Sequence, residues 1–465
     1  MKTAAEIAKA VNGGETTAVK VVDAALARIA KHDGALGSFT DVVDERARST
    51  AEEIDKRLSA GKSSGPLAGV PFGVKNLFDV AGLPTRAGSK INRERKPAAV
   101  DGALVRKLEA AGAILVGALN MGEYAYDFTG ENVHDGPSRN PHDLTRMSGG
   151  SSGGSGAAVA AGLVPLSLGS DTNGSIRVPS SLCGLFGLKP TYGRLSRAGT
   201  FPFVASLDHL GPLARSTLDL ALSYDAMQGA DAADPACLPP AITPAMPELQ
   251  KGAEGLRIAV AAGHFARNGF PEVFSAVARI AAALGVNRQI ELPDAARARA
   301  AAYVITATEG GNLHRRQLAE RAADYDPDTR YRLLAGAMAP AAWYEDAQRF
   351  RRWFHDEMLK LFKEVDIILA PATPCSAPKL GQKTLVLDGV EMPLRPNLGV
   401  FTQPISFIGL PVVAVPAAVE GAMPIGVQII AAPWKESLAL RVAYELEKNG
   451  VCKAPVAEAF AGEVA

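Results

Sequence analysis

The sequence predicts an α/β fold. Short apolar, β-branched runs alternate with helical patterns along the chain, and a glycine-serine run leads straight into a helix. Composition agrees: 47% of the 465 residues are hydrophobic and 21% are charged, which is enough for a large core. Helical patterns cover about residues 1–60, beginning with two short amphipathic helices around Gly13-Gly14. Gly61-Lys-Ser-Ser-Gly-Pro66 breaks them. Leu67-Ala-Gly-Val-Pro-Phe-Gly-Val-Lys75 then reads as a buried strand ending on a lysine. A helix over 103–111 and a strand over 113–117 follow. Residues 140–156 read as a loop that delivers Ser148-Gly-Gly-Ser-Ser-Gly-Gly-Ser-Gly156 to a helix at 157–161. An Ala-, Pro- and Asp-rich stretch over about 229–255 reads as a surface excursion. Strand grammar resumes at 256–260 and 365–370, with 312–364 mostly helical between them. Two strands at 412–416 and 425–430 and a helix over 436–448 close the chain. With no repeat and no linker, residues 1–465 read as a single domain.

Lys+Arg and Asp+Glu both number 49. That balance argues against nucleic acid or an anionic membrane as a direct partner. The four cysteines are far apart and form no C-x-x-C pair, as expected of thiols in a reducing compartment. No run of about 18 apolar residues reads as a membrane span. The expectation is a cytoplasmic protein. Among seven histidines there is neither H-x-H nor H-E-x-x-H, so neither a metal nor a cofactor is expected.

The run at 149–156 admits three readings. A flexible linker conflicts with the helix it enters. A phosphate cradle requires a following lysine, which is missing. Gly149-Gly-Ser151-Ser-Gly153 matches a G-x-S-x-G nucleophile elbow formally, but that motif needs a strand before it and a histidine base after it. Residues 140–147 do not read as a strand, and nothing singles out His209, His264, His314 or His355. A serine activated by lysine remains. A lysine acts as a base only when neutral, and a buried strand end disfavours its charge. Lys75 is placed for this, although a lone strand-end lysine usually just extends its head to solvent.

Taken together, Gly149-Gly-Ser-Ser-Gly-Gly-Ser155, Asp171-Thr-Asn-Gly-Ser-Ile-Arg-Val-Pro179 and Cys183-Gly-Leu-Phe-Gly-Leu-Lys-Pro-Thr191 resemble the amidase signature family. So do Leu67–Lys75, Asn120-Met-Gly-Glu-Tyr124, Ser206–Pro212 and Pro424–Ile430, so the resemblance spans nearly the whole chain. It implies a central mixed, mostly parallel β-sheet flanked by helices. It also implies a triad of Ser175 as nucleophile, Ser151 as bridging serine after a cis peptide, and Lys75 as base. Backbone N–H groups of Thr172, Asn173, Gly174 and Ser175 would face the oxyanion. Asn173 stands where the family usually has glycine, and asparagine tolerates positive φ. Ser152 and Tyr126 are candidate substrate-binding residues, and Asp171 and Arg177 a structural ion pair. Within the family, the segments at 171–185 and 195–214 look closest to the biuret-type amidohydrolases, which act on 1-carboxybiuret. The glutaminase component of the tRNA amidotransferase and general amidases are the alternatives, and a non-catalytic binding member conflicts with the intact triad. An anionic substrate calls for an arginine, with Arg315, Arg330 and Arg332 as candidates. The branch further implies a homodimer or heterotetramer that includes a small helical, GatC-like subunit.

Overall fold

The structure is a computed structural model that describes residues 1–417 and 421–462. Its frame is an eleven-stranded sheet. The first half contributes β1 (Phe39–Val42), β2 (Pro71–Lys75) and β3 (Ile114–Leu119). A separate ribbon, β4 (Arg139–Asn140) and β5 (Asp143–Met147), precedes β6 (Leu166–Asp171), β7 (Phe186–Lys189) and β8 (His209–Ala214). The second half adds β9 (Ile258–Ala261), β10 (Gln289–Ile290) and β11 (Ile367–Pro371). A surface hairpin, β12 (Thr384–Leu387) and β13 (Val390–Pro393), comes before the closing strands β14 (Val412–Pro416) and β15 (Gly426–Ala431). The strand order is β1-β3-β2-β6-β8-β7-β14-β15-β11-β9-β10.

The sheet is mixed and flanked by helices, as expected. Parallel ladders, however, are confined to β3-β2-β6 and β11-β9-β10, and the other neighbours pair antiparallel. The predominance of parallel order therefore applies to those two runs, not to the middle. A parallel neighbour needs a long crossover, whereas a short return such as β14 to β15 reverses direction. The parallel run β3-β2-β6 is buried along its whole length, which explains its near-continuous apolar sequence.

Two local expectations are corrected. The stretch 140–147, read as a loop, contains most of the β4–β5 ribbon, with Arg139 opposite Met147 and Asn140 opposite Asp143. The Asp143 carboxylate accepts from Thr145 N at 2.9 Å and shapes the turn. The 229–255 excursion is also more than surface chain. Asp234 pairs with Arg197 at 2.8 Å, and Cys237 and Leu249 are buried. Among the described residues, no helix is long and apolar enough to cross a membrane.

The helix Ala295–Arg321 reaches the turn after β6 through Thr306 and is packed closely by the helix Pro327–Ala337. The packing depends on glycine: a Cβ at Gly336 would fall inside contact distance of the Ala307 carbonyl, and one at Gly311 would meet Gly336 at 2.7 Å. This close approach carries Arg332 to the site. Gly336→Ala is therefore expected to cost about 1–3 kcal/mol through overpacking. It should also weaken substrate binding, read by thermal unfolding and by KM. Unchanged values for both would refute this account of the packing.

Candidate active site

Parallel pairing sets Val74 beside Leu168, so β6 flanks β2 to its end and runs on to Asp171. Lys75, the last residue of β2, is fully buried. Its Nζ lies 2.6 Å from Ser151 Oγ and 2.8 Å from Ser170 Oγ. Burial lowers its pKa to about 7, against the attraction of Asp171, Asp208 and Asp127. A lysine held by two hydroxyls in this way can give or take a proton near neutrality.

Ser151 follows a cis Gly150–Ser151 peptide. The turn is clamped from both sides: Gly150 N donates to Phe128 O at 2.8 Å, and Ser151 O accepts from Gly122 N at 3.2 Å. No side chain fits at Gly150, because Asp127 fills the space where its Cβ would sit. The Asp127 carboxylate is itself held by Thr129 N at 2.9 Å and Gly130 N at 2.7 Å. The following helix, Gly153–Ala160, is buried all round. A Cβ at Gly154 would lie 2.6 Å from Asn120 N, so the glycine-serine composition answers a demand for close packing. Ser152 departs from expectation. Its hydroxyl donates to Ser170 O at 3.2 Å and accepts from Ser170 N at 3.3 Å, so it braces β6 and does not face a substrate.

Ser175 ends a turn that leaves β6 and enters the helix Arg177–Cys183. It opens onto a cavity shared with Tyr126, Asn173, Thr306, Arg332 and Gln403. The backbone N–H groups of Thr172, Asn173, Gly174 and Ser175 find no acceptor among the described residues. An oxyanion hole requires free donors of this kind. Positive φ falls on Gly174, at 142°, and not on Asn173. A Cβ at Gly174 would collide with Thr402 Oγ1, so only glycine fits. The tolerance of asparagine for positive φ is therefore not called upon.

The turn is locked from below. Asp171 and Arg177, both fully buried, pair at 2.9 Å, and Arg177 also donates to Gln428 at 2.6 Å. Burial opposes the charge on Asp171, but Arg177 outweighs it and holds the carboxyl well below its usual range. From the sides, Thr172 Oγ1 donates to Asp208 at 2.6 Å and Asn173 Nδ2 to Thr306 Oγ1 at 2.8 Å.

Of the candidate arginines, Arg332 reaches the cavity, its guanidinium 3.9 Å from the Tyr126 ring centroid. Arg330 lies over Tyr331 instead, and Arg315 is exposed. No histidine lines the cavity. His209 is buried behind the turn, 3.0 Å from Asp171 O, and burial beside Lys189 pushes its pKa well down. His264 and His314 bond to Val400 O and Tyr325, and His355 is near the surface with Asp356. The strand missing from the elbow reading exists as β5, but Ser151 faces Lys75 and no imidazole. Among the described residues, no group of three or more His, Cys, Asp or Glu side chains is placed to hold a metal ion. Sequence reasoning missed Ser170 and Thr306. Ser170 was findable, since it precedes Asp171 on the strand that must lie beside Lys75.

A buried lysine poised near neutrality, two serines and a turn of free N–H groups are the parts that serine-based amide hydrolysis requires. The chain belongs to the Amidase family, whose sequence pattern matches residues 20–440, and it is a hydrolase acting on amides. It is 54% identical to AtzE, a 1-carboxybiuret hydrolase subunit of Pseudomonas sp. (strain ADP), over 97% of this chain and 99% of that protein. It is 36% identical to a glutamyl-tRNA(Gln) amidotransferase subunit of Geobacter sp. (strain M21), over 96% of each. A solved structure described as a vestigial protein complex, bearing on the origins of an s-triazine catabolic enzyme, matches with a TM-score of 0.96. It shares 53% identity, with 97% of this chain and all of that chain covered.

The Asp171–Arg177 pair generates a stability prediction. Asp171→Ala leaves the Arg177 guanidinium buried without its carboxylate, and should destabilise the protein by about 3–5 kcal/mol in denaturant unfolding. A loss below about 1 kcal/mol would show that the pair is not what locks the turn.

Proposed function

We propose that residues 1–465 act as one amidase domain that hydrolyses a small carboxylated urea-type amide of the 1-carboxybiuret class. The hydrogen-bonded Lys75–Ser151 pair, together with Ser175 on the turn that leaves β6, carries this reading. Neutral Lys75 takes the Ser151 proton as Ser151 takes that of Ser175, and Ser175 Oγ attacks the carbonyl carbon. The free N–H groups of residues 172–175 receive the oxyanion. Collapse breaks the C–N bond, and the proton returns through Ser151 to the leaving nitrogen, which departs as ammonia. Water then attacks the acyl-Ser175 ester by the same proton route, releasing the acid and restoring Ser175. Arg332 binds the substrate carboxylate, and its rigid fork suits that group better than an ammonium. The 54% identity to a 1-carboxybiuret hydrolase component supports the substrate class.

The same proposal places the enzyme in the cytoplasm, as a homodimer or heterotetramer that includes a small helical GatC-like subunit. Support comes from that relative being one subunit of its hydrolase, and from the solved neighbour being a complex. Light scattering of the chain with and without such a subunit tests the assembly, and a monomer under both conditions would refute it.

Activity should follow the Lys75 proton. Because the deprotonated amine is the reactive form and its pKa is lowered to about 7, kcat/KM should rise from acid pH and level off above about 7. Ser175→Ala and Lys75→Ala should each lose about 10³-fold or more, whereas histidine variants keep substantial activity. A histidine variant as inactive as Ser175→Ala, yet folded by circular dichroism, would sink the lysine mechanism. Arg332→Ala should raise KM for 1-carboxybiuret about 10–100-fold, while biuret, lacking the carboxylate, changes little. Glutamine turned over faster than 1-carboxybiuret would favour the amidotransferase-type reading instead.

A further inference from the structure

Two side-chain atoms in the Ser175 cavity are buried and have no hydrogen-bond partner. One is Asn173 Oδ1, which only accepts, and the other is the Tyr126 hydroxyl, which can also donate. Both residues are tightly placed. Asn173 is 6% exposed, its Nδ2 donates to Thr306 at 2.8 Å, and its backbone carbonyl accepts from Thr402 Oγ1 at 2.7 Å. The Tyr126 ring is held between Arg332 and Phe203, 4.9 Å from the latter, and the Tyr303 phenol is close to the Tyr126 hydroxyl but not in hydrogen-bond geometry with it. The other amide in the cavity is already engaged, since Gln403 Oε1 accepts from Arg299 Nε at 2.8 Å. Buried polar atoms of native proteins are almost always paired, so an unpartnered acceptor and donor in one cavity mark a place for a ligand carrying the complementary groups.

The geometry points to Asn173 and Tyr126 as a specificity pair that reads an –NH–CO– unit of the substrate, beyond the carbonyl attacked by Ser175. Asn173 Oδ1 accepts from the ligand N–H, and the Tyr126 hydroxyl donates to the adjoining carbonyl. Such a pair prefers ureides, which carry nitrogen between two carbonyls, to amides with carbon there. A site built to pair with an N–H rejects the analogue lacking it, because its own polar atom is then left buried and unpaired. This inference rests on the urea-type reading of the same site and adds the residues that enforce it.

Biuret and malonamide form the test pair, differing by an inner N–H against a CH₂. Binding is measured by calorimetry on Ser175→Ala, which does not turn over. In that background biuret should bind about 10-fold or more tighter than malonamide. Adding Asn173→Ala should bring the two dissociation constants together. Adding Asn173→Asp, which retains an acceptor, should keep the preference. Tyr126→Phe should weaken both ligands while leaving their ratio unchanged, a pattern that general loosening of the cavity would not produce. A preference that survives Asn173→Ala, or one lost in Asn173→Asp, overturns the inference. Because the readout is binding, it is separable from the proposed reaction. A wild-type enzyme inert on 1-carboxybiuret whose Ser175→Ala form still prefers biuret through Asn173 would refute the substrate and keep the pair.

Discussion

The site depends on keeping one lysine out of water without giving it a carboxylate. Lys75 touches two hydroxyls, and three acids attract it from further away. Each of those acids is engaged elsewhere: Asp171 with Arg177, Asp208 with Thr172 and the backbone of Phe203 and Val204, and Asp127 with Thr129, Gly130 and Arg395. Were one of them to reach Nζ directly, the ion pair would raise the pKa and hold Lys75 as a cation. The neutralising partners are therefore as necessary to the lysine as its own burial.

That requirement propagates into the fold. A lysine buried at a strand end needs neighbours on both sides, and β2 has β3 and β6. It needs a lid without bulk, which the all-buried helix Gly153–Ala160 supplies. It also needs β6 to run just past the end of β2, so that Ser170 meets Nζ and the chain turns from there toward Ser175. Ser152, which looks like a site residue because it adjoins Ser151, serves this last need by bracing Ser170.

What was legible in the sequence follows the same division. Lys75, Ser151, Ser175, Asp171 and Arg177 lie in the short contiguous segments that carry the family resemblance. The cavity wall does not. Thr306 and Thr402 meet Asn173 and its neighbour from more than a hundred residues away, through ordinary helix and loop sequence. Arg332 was one candidate among three, and only its place in the folded cavity, over the Tyr126 ring, distinguishes it. The antiparallel middle of the sheet was hidden for a related reason. β7, β8, β14 and β15 are apolar like the parallel strands, and direction is set by the connections, not by residue type.

Residues 173 and 174 show how one turn serves both demands. Gly174 sits at positive φ with Thr402 against it, so its identity is set by backbone and packing. Asn173, one position earlier, has ordinary backbone geometry. Its carbonyl is fixed by the same Thr402 and its Nδ2 by Thr306, with the side chain lining the cavity. A side chain at 174 would clash with Thr402 and disturb the turn that carries Ser175, whereas the side chain at 173 lines the cavity without such a clash. Two adjacent residues of one turn are thus under different physical constraints. Selectivity in such a site can change by side-chain replacement while the catalytic edge of the sheet stays as it is.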